Sequence, residues 1–331
     1  MKMKTFSVGI DNYGLYPLQL EPTKVLEWAK LNGADGVQFS GVHSEHRELL
    51  KYGYLSFMAS YAQECGLYLE WGGGQHIPYD TDTWQKRDIM TINRAAAEQA
   101  AVVGASIVRS CSGGLMRWRP DSPMTETLLK ESAAALKPQR QMLQDHGVTL
   151  TIETHFEFTS HELVRLFDMC DAEPGGYLGI CLDTMNLLTM LEDPVRGCER
   201  LLPWVVCTHI KDGGILLNDN GLVTYTTAIG RGGIDLAAIL RRLSGLDRHI
   251  NLSIEDHGGS FDIPIFDPLF LSKFPDLTTR ELATLIRMAR NQAAAARKNR
   301  GGILERERWP TVCESRLRQD IKNLRELVES V

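Results

Sequence analysis

The chain has 331 residues, 43% of them hydrophobic and 24% charged, with a net charge of −6 at pH 7. These are the proportions of a soluble globular protein, and no apolar run approaches the ~20 residues of a membrane span. The negative charge weighs against a nucleic-acid partner, and seven cysteines without a CxxC pair point to a reduced, cytoplasmic protein with buried thiols.

Met1-Lys-Met-Lys-Thr5 leads directly into an apolar stretch too short for a signal peptide, which reads instead as a first strand. From there short β-rich runs alternate with longer helical patterns. Strands are expected at 5–10, 36–40, 67–71, 106–110, 148–153, 178–183, 205–211 and 250–255. Helices are expected near 22–32, 44–65, 82–103, 124–145, 159–171, 193–202, 234–244 and 277–298. Thr159-x-x-Glu162 and Thr278-x-x-Glu281 are capping boxes, each ahead of an apolar stripe. Gly33, Gly66, Gly104 and Gly147 stand where helices end before the next strand, the usual place for a C-cap glycine.

Eight strand–helix units predict an α/β fold with a parallel sheet, and eight is the number that closes a (β/α)8 TIM barrel. A doubly wound open sheet is the alternative, but no GxGxxG follows the first strand. The barrel domain is placed at 1–300 and a helical extension at 301–331, where Leu317, Ile321, Leu324 and Val328 mark an extra C-terminal helix that packs on the barrel or a neighbouring subunit. Asn218-Asp-Asn-Gly221 marks a small hairpin on the seventh loop. The aromatic, proline-containing stretch 256–276 reads as a lid or interface, which together with the extra helix suggests a homo-oligomer. Arg287, Arg290, Arg297, Lys298 and Arg300 form a basic helix face, read as solvated surface.

Alternation along the later strands isolates the chemistry. In 148–153, Val148, Leu150 and Ile152 oppose Thr149, Thr151 and Glu153. The same test sets Gly179, Cys181 and Asp183 apart from Leu178, Ile180 and Leu182. It sets Val205, Cys207, His209 and Lys211 apart from Val206, Thr208 and Ile210, and Asn251, Ser253 and Glu255 apart from Ile250, Leu252 and Ile254. If the small or polar side faces the barrel interior, four strands aim Glu153, Asp183, His209 and Glu255 at the catalytic mouth. Three carboxylates cannot share a dry cavity without a cation or shared protons. With one imidazole they form a hard-to-borderline ligand set suited to Mn²⁺, Mg²⁺, Co²⁺ or Zn²⁺.

The stretches Ala34-Asp-Gly-Val-Gln-Phe39, Ile152-Glu-Thr-His155, Cys181-Leu-Asp-Thr-Met-Asn186, Thr208-His-Ile-Lys-Asp212, Ile229-Gly-Arg-Gly-Gly-Ile-Asp235 and Leu252-Ser-Ile-Glu-Asp-His257 resemble the xylose isomerase-like TIM-barrel superfamily of sugar isomerases and epimerases. The resemblance extends to about residue 298. It implies one divalent metal, most often Mn²⁺, held by Glu153, Asp183, His209 and Glu255, and a small sugar as substrate. In the ketose epimerases of that superfamily the residues matching Glu153 and Glu255 also exchange protons with the substrate. Two departures stand out: many relatives have a histidine where this chain has Asn186, and no Asp-x-His follows near the seventh loop. A trinuclear DNA-repair site is therefore not expected. Some epimerases also carry an arginine after the metal histidine, where this chain has Lys211 and, further on, Arg231.

Arg109 has inward parity at the end of the fourth strand and is a candidate for binding a substrate hydroxyl, carboxylate or phosphate. His155 could act as a base or substrate contact beside Glu153, and Lys211 as an electrophile or proton donor. Asn186 joins the substrate-binding candidates, as do His76 and His257, expected on loops over the mouth. Trp71 and Trp118 are candidate pocket walls. Gly230-Arg-Gly-Gly233 reads as a structural turn in preference to a phosphate cradle. The leading function is isomerisation or epimerisation of a ketose or related keto-sugar through an enediolate. The alternative is a lyase or dehydratase acting on an oxidised sugar, cyclitol or dehydroshikimate-like acid, which needs a separate acid for its leaving group. A non-enzymatic metal- or sugar-binding module comes third.

Overall fold

The computed structural model describes residues 6–299 and 303–331, the side chains of 293–299 excepted. The barrel strands are β1 (Phe6–Asp11), β2 (Gly36–Phe39), β3 (Tyr68–Gly74), β4 (Ile107–Ser110), β5 (Thr149–Glu153), β6 (Leu178–Asp183), β7 (Val205–Ile210) and β10 (Ile250–Ile254). All their pairings are parallel, and they close in the order β1-β10-β7-β6-β5-β4-β3-β2. Three further strands, β8 (Asp212–Asn218), β9 (Gly221–Thr227) and β11 (Ser260–Ile263), make a small antiparallel sheet beside the mouth. The protein is thus the expected (β/α)8 barrel.

The helices are α1 (Pro22–Leu31), α2 (Tyr52–Cys65), α3 (Ile89–Val103), α4 (Thr125–Leu136), α5 (Arg140–Asp145), α6 (Ser160–Met169), α7 (Asn186–Thr189), α8 (Pro194–Leu201), α9 (Leu236–Leu243), α10 (Pro268–Leu271), α11 (Thr279–Asn299) and α12 (Trp309–Glu329). Two differ informatively from their patterns. The expected helix 82–103 starts only at Ile89, because Asp80 Oδ1 accepts from the Asp82 and Thr83 amides at 3.0 Å and folds that stretch into a turn. The expected helix 124–145 is interrupted at Lys137–Gln139, where Pro138 removes a helical donor. The capping box of α6 forms as expected, with Thr159 and Glu162 exchanging side-chain bonds.

Apolar residues on the outward parity, among them Leu150, Ile152, Ile180, Leu182, Leu252 and Ile254, are fully buried against the helices. The inward side is layered. Tyr68 fills the lower end of the barrel with its hydroxyl 2.9 Å from Ser253 Oγ. That ring fits because Gly9 and Gly36 face it: a Cβ on either would sit 2.2 Å from it. Above lies a small cluster of Ile107, Cys181 and Cys207, and the polar residues follow towards the mouth. Alternation in β7 departs from the simple pattern at its start. Val205 belongs to the outer core while Val206 packs on the inner cluster, because the β6–β7 register shifts between Ile180 and Cys181.

The stretch 256–276 contributes β11, which pairs with β9 and makes a third strand on the expected hairpin. The hairpin turn is set by Asn218 Oδ1, which accepts from Asn220 and Gly221 at 3.0 and 2.9 Å. The turn at 230–233 wraps a carboxylate of the chain itself: Gly230 and Gly232 amides both donate to Asp212 Oδ2 at 2.9 Å. α11 lies against β8, whereas α12 packs across β1 and β10 beside α9. Trp309 Nε1 donates to the Gly14 carbonyl at 2.9 Å, and Trp28 Nε1 donates to Glu314 at 2.7 Å, which ties α12 to the turn after the first strand and to the first helix. Arg287 and Arg290 are exposed; Arg297, Lys298 and Arg300 lie outside the described side chains, as does the 300/301 boundary. No described helix is long and apolar enough to cross a membrane.

Candidate metal centre

Glu153 closes β5, Asp183 closes β6, His209 lies one residue from the end of β7, and Glu255 follows β10. Parallel pairing sets Asp183 beside His209, and His209 beside Ser253, two residues before Glu255. The four side chains are buried, and one ligand atom from each lies within 4.8 Å of all the others. His209 Nδ1 is 3.2 Å from Glu153 and 3.5 Å from Glu255. Thr154 Oγ1 accepts from the Asp183 amide at 2.7 Å and donates to its carbonyl at 3.0 Å, fixing the end of β6. Asp183 Oδ1 is held by the Met185 and Asn186 amides at 2.9 Å, which leaves Oδ2 turned inward.

Lys211 Nζ sits 2.9 Å from Asp183 Oδ2 and also contacts Glu255 Oε2. Yet neither of these buried oxygens accepts a well-formed hydrogen bond among the described residues. Arg109 pairs with Glu153 Oε2, and Asn186 Nδ2 reaches Glu153 Oε1 at 3.4 Å. These cations set the titration of the group. Burial would raise Glu153, but Arg109 and His209 hold it well below the ordinary carboxylate range. Burial likewise acts against Lys211 and His209 pulling Glu255 down to about 2. Asp183 is raised by burial despite Lys211. Burial disfavours a charge on His209, but Glu153 and Glu255 raise it well above an ordinary histidine. Three carboxylates, one imidazole and two orphaned buried oxygens fit a divalent cation, and the four residues could hold one.

Beneath the four residues lies a polar layer that alternation on the later strands does not reach. Gln38 Nε2 donates to Glu70 Oε2 at 2.7 Å, and Asn251 Nδ2 donates to Glu70 Oε1 at 2.8 Å. With its nitrogen so engaged, Gln38 turns its oxygen to His209 Nε2. Nε2 must then be the proton donor, which directs Nδ1 at the carboxylates. Asp11 Oδ2 lies 3.4 Å from the same Nε2. Burial lifts Glu70 to about 7. Asp11, Gln38 and Glu70 were legible by the same test, since each has the inward parity of β1, β2 or β3.

A cavity of about 550 Å³ opens above this floor. Glu153, Glu255, Arg109, Asn186, Lys211, His155 and His257 all line it, with Tyr13, Phe156 and Phe261 among the apolar walls. His257 stands edge-on to Tyr13 at 5.4 Å, and burial with Lys211 nearby lowers it to about 4, so it is neutral at pH 7. His155 Nδ1 is 2.8 Å from Glu157, and Cys111 Sγ completes a second group with them. Cys111 and Glu157 are site residues that strand alternation misses, because both lie past the strand ends. His76 is not on the cavity wall. Asn93 grips the Gln75 backbone at 2.7 and 2.8 Å and draws this loop inward. The His76 ring is fully buried, 5.8 Å from Phe158, with Nδ1 2.9 Å from Ser110 Oγ. Trp71 is core; Trp118 stands behind Phe156 at 6.4 Å.

Among known proteins, the chain is 33% identical to the Escherichia coli protein YihM over 104 residues, 31% of each chain. It is 28% identical over 128 residues to a 3-oxo-isoapionate decarboxylase of Pectobacterium atrosepticum, covering 38% of this chain and 45% of that one. The matched stretches therefore span less than half the length of either relative. Among solved structures, an L-ribulose 3-epimerase superposes with a TM-score of 0.58 at 19% identity, over 88% of this chain and 94% of that one, a likeness of fold. The profile of the xylose isomerase-like TIM barrels matches residues 26–285, and the chain belongs to that family.

Proposed function

We propose that this protein is a divalent-metal-dependent isomerase or epimerase of a ketose or related keto-sugar. One observation carries the reading: of the four converging residues, Glu153 and Glu255 line the cavity while Asp183 and His209 do not. On this reading Asp183 and His209 would hold the cation, and the two glutamates would hold it and also meet the substrate. When bound, a divalent cation, Mn²⁺ first by its oxygen-rich ligand set, supplies Lewis-acid stabilisation of charge developing on a carbonyl oxygen. One glutamate takes the proton from the carbon beside the carbonyl, and the other returns a proton to the opposite face. Arg109 and Lys211 favour the ionised form of Glu153 and Glu255, which suits the glutamate that takes the proton; the other must first be protonated, by solvent or a substrate hydroxyl, before it returns a proton.

The second reading is a lyase acting on a keto-sugar acid, by decarboxylation or dehydration next to the carbonyl. It is favoured by the cations of the rim: Arg47 and Arg306 line the cavity, and neither pairs with an acid among the described residues. A substrate carboxylate suits them, and one curated relative carries the name of a decarboxylase. Both readings make the substrate a small molecule and leave nucleic acid and membrane aside. Exposed Phe266 and Leu269, 61% and 77% accessible, suit self-association of the chain.

Incubating Mn²⁺-loaded protein in D₂O with ketoses and 3-keto sugar acids tests the choice. Deuterium entering one carbon of an otherwise intact sugar supports isomerisation or epimerisation. Release of CO₂ or formation of an unsaturated product sinks it in favour of the lyase.

A further inference from the structure

Cys111, His155 and Glu157 form a second cluster of ligand-type side chains, apart from the four-residue centre, with one donor atom from each within 4.8 Å of the others. Cys111 follows β4, and His155 and Glu157 follow β5, so two adjacent strand ends deliver the three groups. Glu157 is buried and fixed: its Oε1 accepts from the Gly113 amide at 2.6 Å, and its Oε2 lies 2.8 Å from His155 Nδ1. Cys111 Sγ lies 3.9 Å from Glu157 Oε1. The His155 ring lies tilted against Phe156, 4.2 Å between centroids, and Phe156 leans on Phe261 at 4.7 Å. The two donors other than Glu157 line the cavity.

We propose that Cys111, His155 and Glu157 are a second metal site, selective for Zn²⁺, whose open position faces the same cavity as the carboxylate-rich centre. The chemistry of the donors separates the two sites. A thiolate with an imidazole and one carboxylate is a soft-to-borderline set that favours Zn²⁺, whereas three carboxylates with one imidazole favour harder ions such as Mn²⁺. Three protein ligands with a fourth position free is the pattern of zinc sites that take a water or substrate. The space is nearly preformed. Two ligands ~2 Å from a tetrahedral ion stand ~3.3 Å apart, so the Nδ1–Oε2 contact must widen by only about half an ångström. Binding displaces the thiol proton of Cys111 to solvent, leaving the sulfur as a thiolate ligand. The Gly113 amide keeps its bond to Glu157 Oε1, orienting the carboxylate from outside.

The test uses the full chain stripped with chelator, loaded first with one equivalent of Mn²⁺ and then with Zn²⁺. Zinc K-edge absorption reads every site that zinc occupies, including any first-centre site where it displaces Mn²⁺, and needs no variant. The proposal expects a sulfur scatterer at about 2.3 Å; a shell of nitrogen and oxygen alone overturns it. With Co²⁺ in place of both ions, the wild type should bind two per chain and show thiolate-to-cobalt charge-transfer absorption. Cys111→Ser should abolish that absorption and retain one Co²⁺. Asp183→Ala should keep the absorption with one Co²⁺. Absorption that survives Cys111→Ser would assign the sulfur elsewhere, to Cys181 or Cys207 inside the barrel, and refute the site.

Discussion

Gln38 turns its side-chain oxygen to Nε2 of His209, and Glu70 holds it there through the 2.7 Å bond from Gln38 Nε2. His209 is thereby committed to offering Nδ1 to the carboxylates. Gln38→Leu removes no ligand but takes away the nearer acceptor of Nε2, leaving only Asp11 Oδ2 at 3.4 Å to hold the ring. Metal affinity should fall about 10- to 100-fold. Mn²⁺ titration of the variant checks this, and an unchanged affinity would mean that the ring is fixed by other contacts.

Lys211 is the counter-ion of Asp183 and Glu255. Lys211→Met strips it from two buried carboxylates, and the chelator-treated variant should lose ~3–5 kcal/mol of stability. Saturating Mn²⁺ should restore most of that loss, because the ion neutralises the same charges. Denaturant titrations with and without Mn²⁺ measure both effects. Equal losses in the two conditions would place Lys211 outside the electrostatics of the site.

Arg117, just before α4, forms a buried ion pair with Glu162 on the first turn of α6 and stacks 4.6 Å from Phe274. Glu162 also completes the α6 capping box through a 2.7 Å bond from the Thr159 amide. Arg117→Met preserves much of the packing and leaves Glu162 buried and unpaired. Unfolding free energy should drop by ~3–5 kcal/mol, read by urea denaturation. A loss under about 1 kcal/mol would show that water reaches Glu162.

Asp320 on α12 accepts from the Ile229 amide at 2.8 Å and pairs with Arg316 at 3.0 Å. Burial raises its carboxyl from 3.8 to about 7, against the pull of Arg316. The folded state therefore holds this proton more tightly than the unfolded chain. Its stabilising contribution is complete below pH 3.8 and is lost as pH rises through about 7. Asp320→Asn, which mimics the protonated form, should gain on the wild type by a few kcal/mol between about pH 4 and 8. Denaturation of both proteins across that range reads the difference, and a pH-independent gap would contradict it.

The barrel and its four converging residues were legible because alternation is strict where a strand is packed on one side and lines a polar interior on the other. Leu150 and Ile152 against Thr151 and Glu153 carry that signal without help from the rest of the chain. The lower polar layer was equally available in Asp11, Gln38 and Glu70, but strands as short as β2 give little alternation to count. Features beyond the strand ends left no periodic trace. The inward fold of the His76 loop depends on Asn93, 17 residues away in α3, and the Cys111–His155–Glu157 group exists only because β4 and β5 end side by side. The pairing of β11 with β9 was hidden for the same reason: a four-residue strand formed at long range shows no local pattern.

The central claim is that Glu153, Asp183, His209 and Glu255 hold one divalent ion. Its most direct test is Mn²⁺ titration of chelator-treated wild type and Asp183→Ala, with free Mn²⁺ read by electron paramagnetic resonance. One tightly held Mn²⁺ per chain is expected in the wild type and none in the variant. An Asp183→Ala protein that still holds one Mn²⁺ with wild-type affinity would contradict the claim.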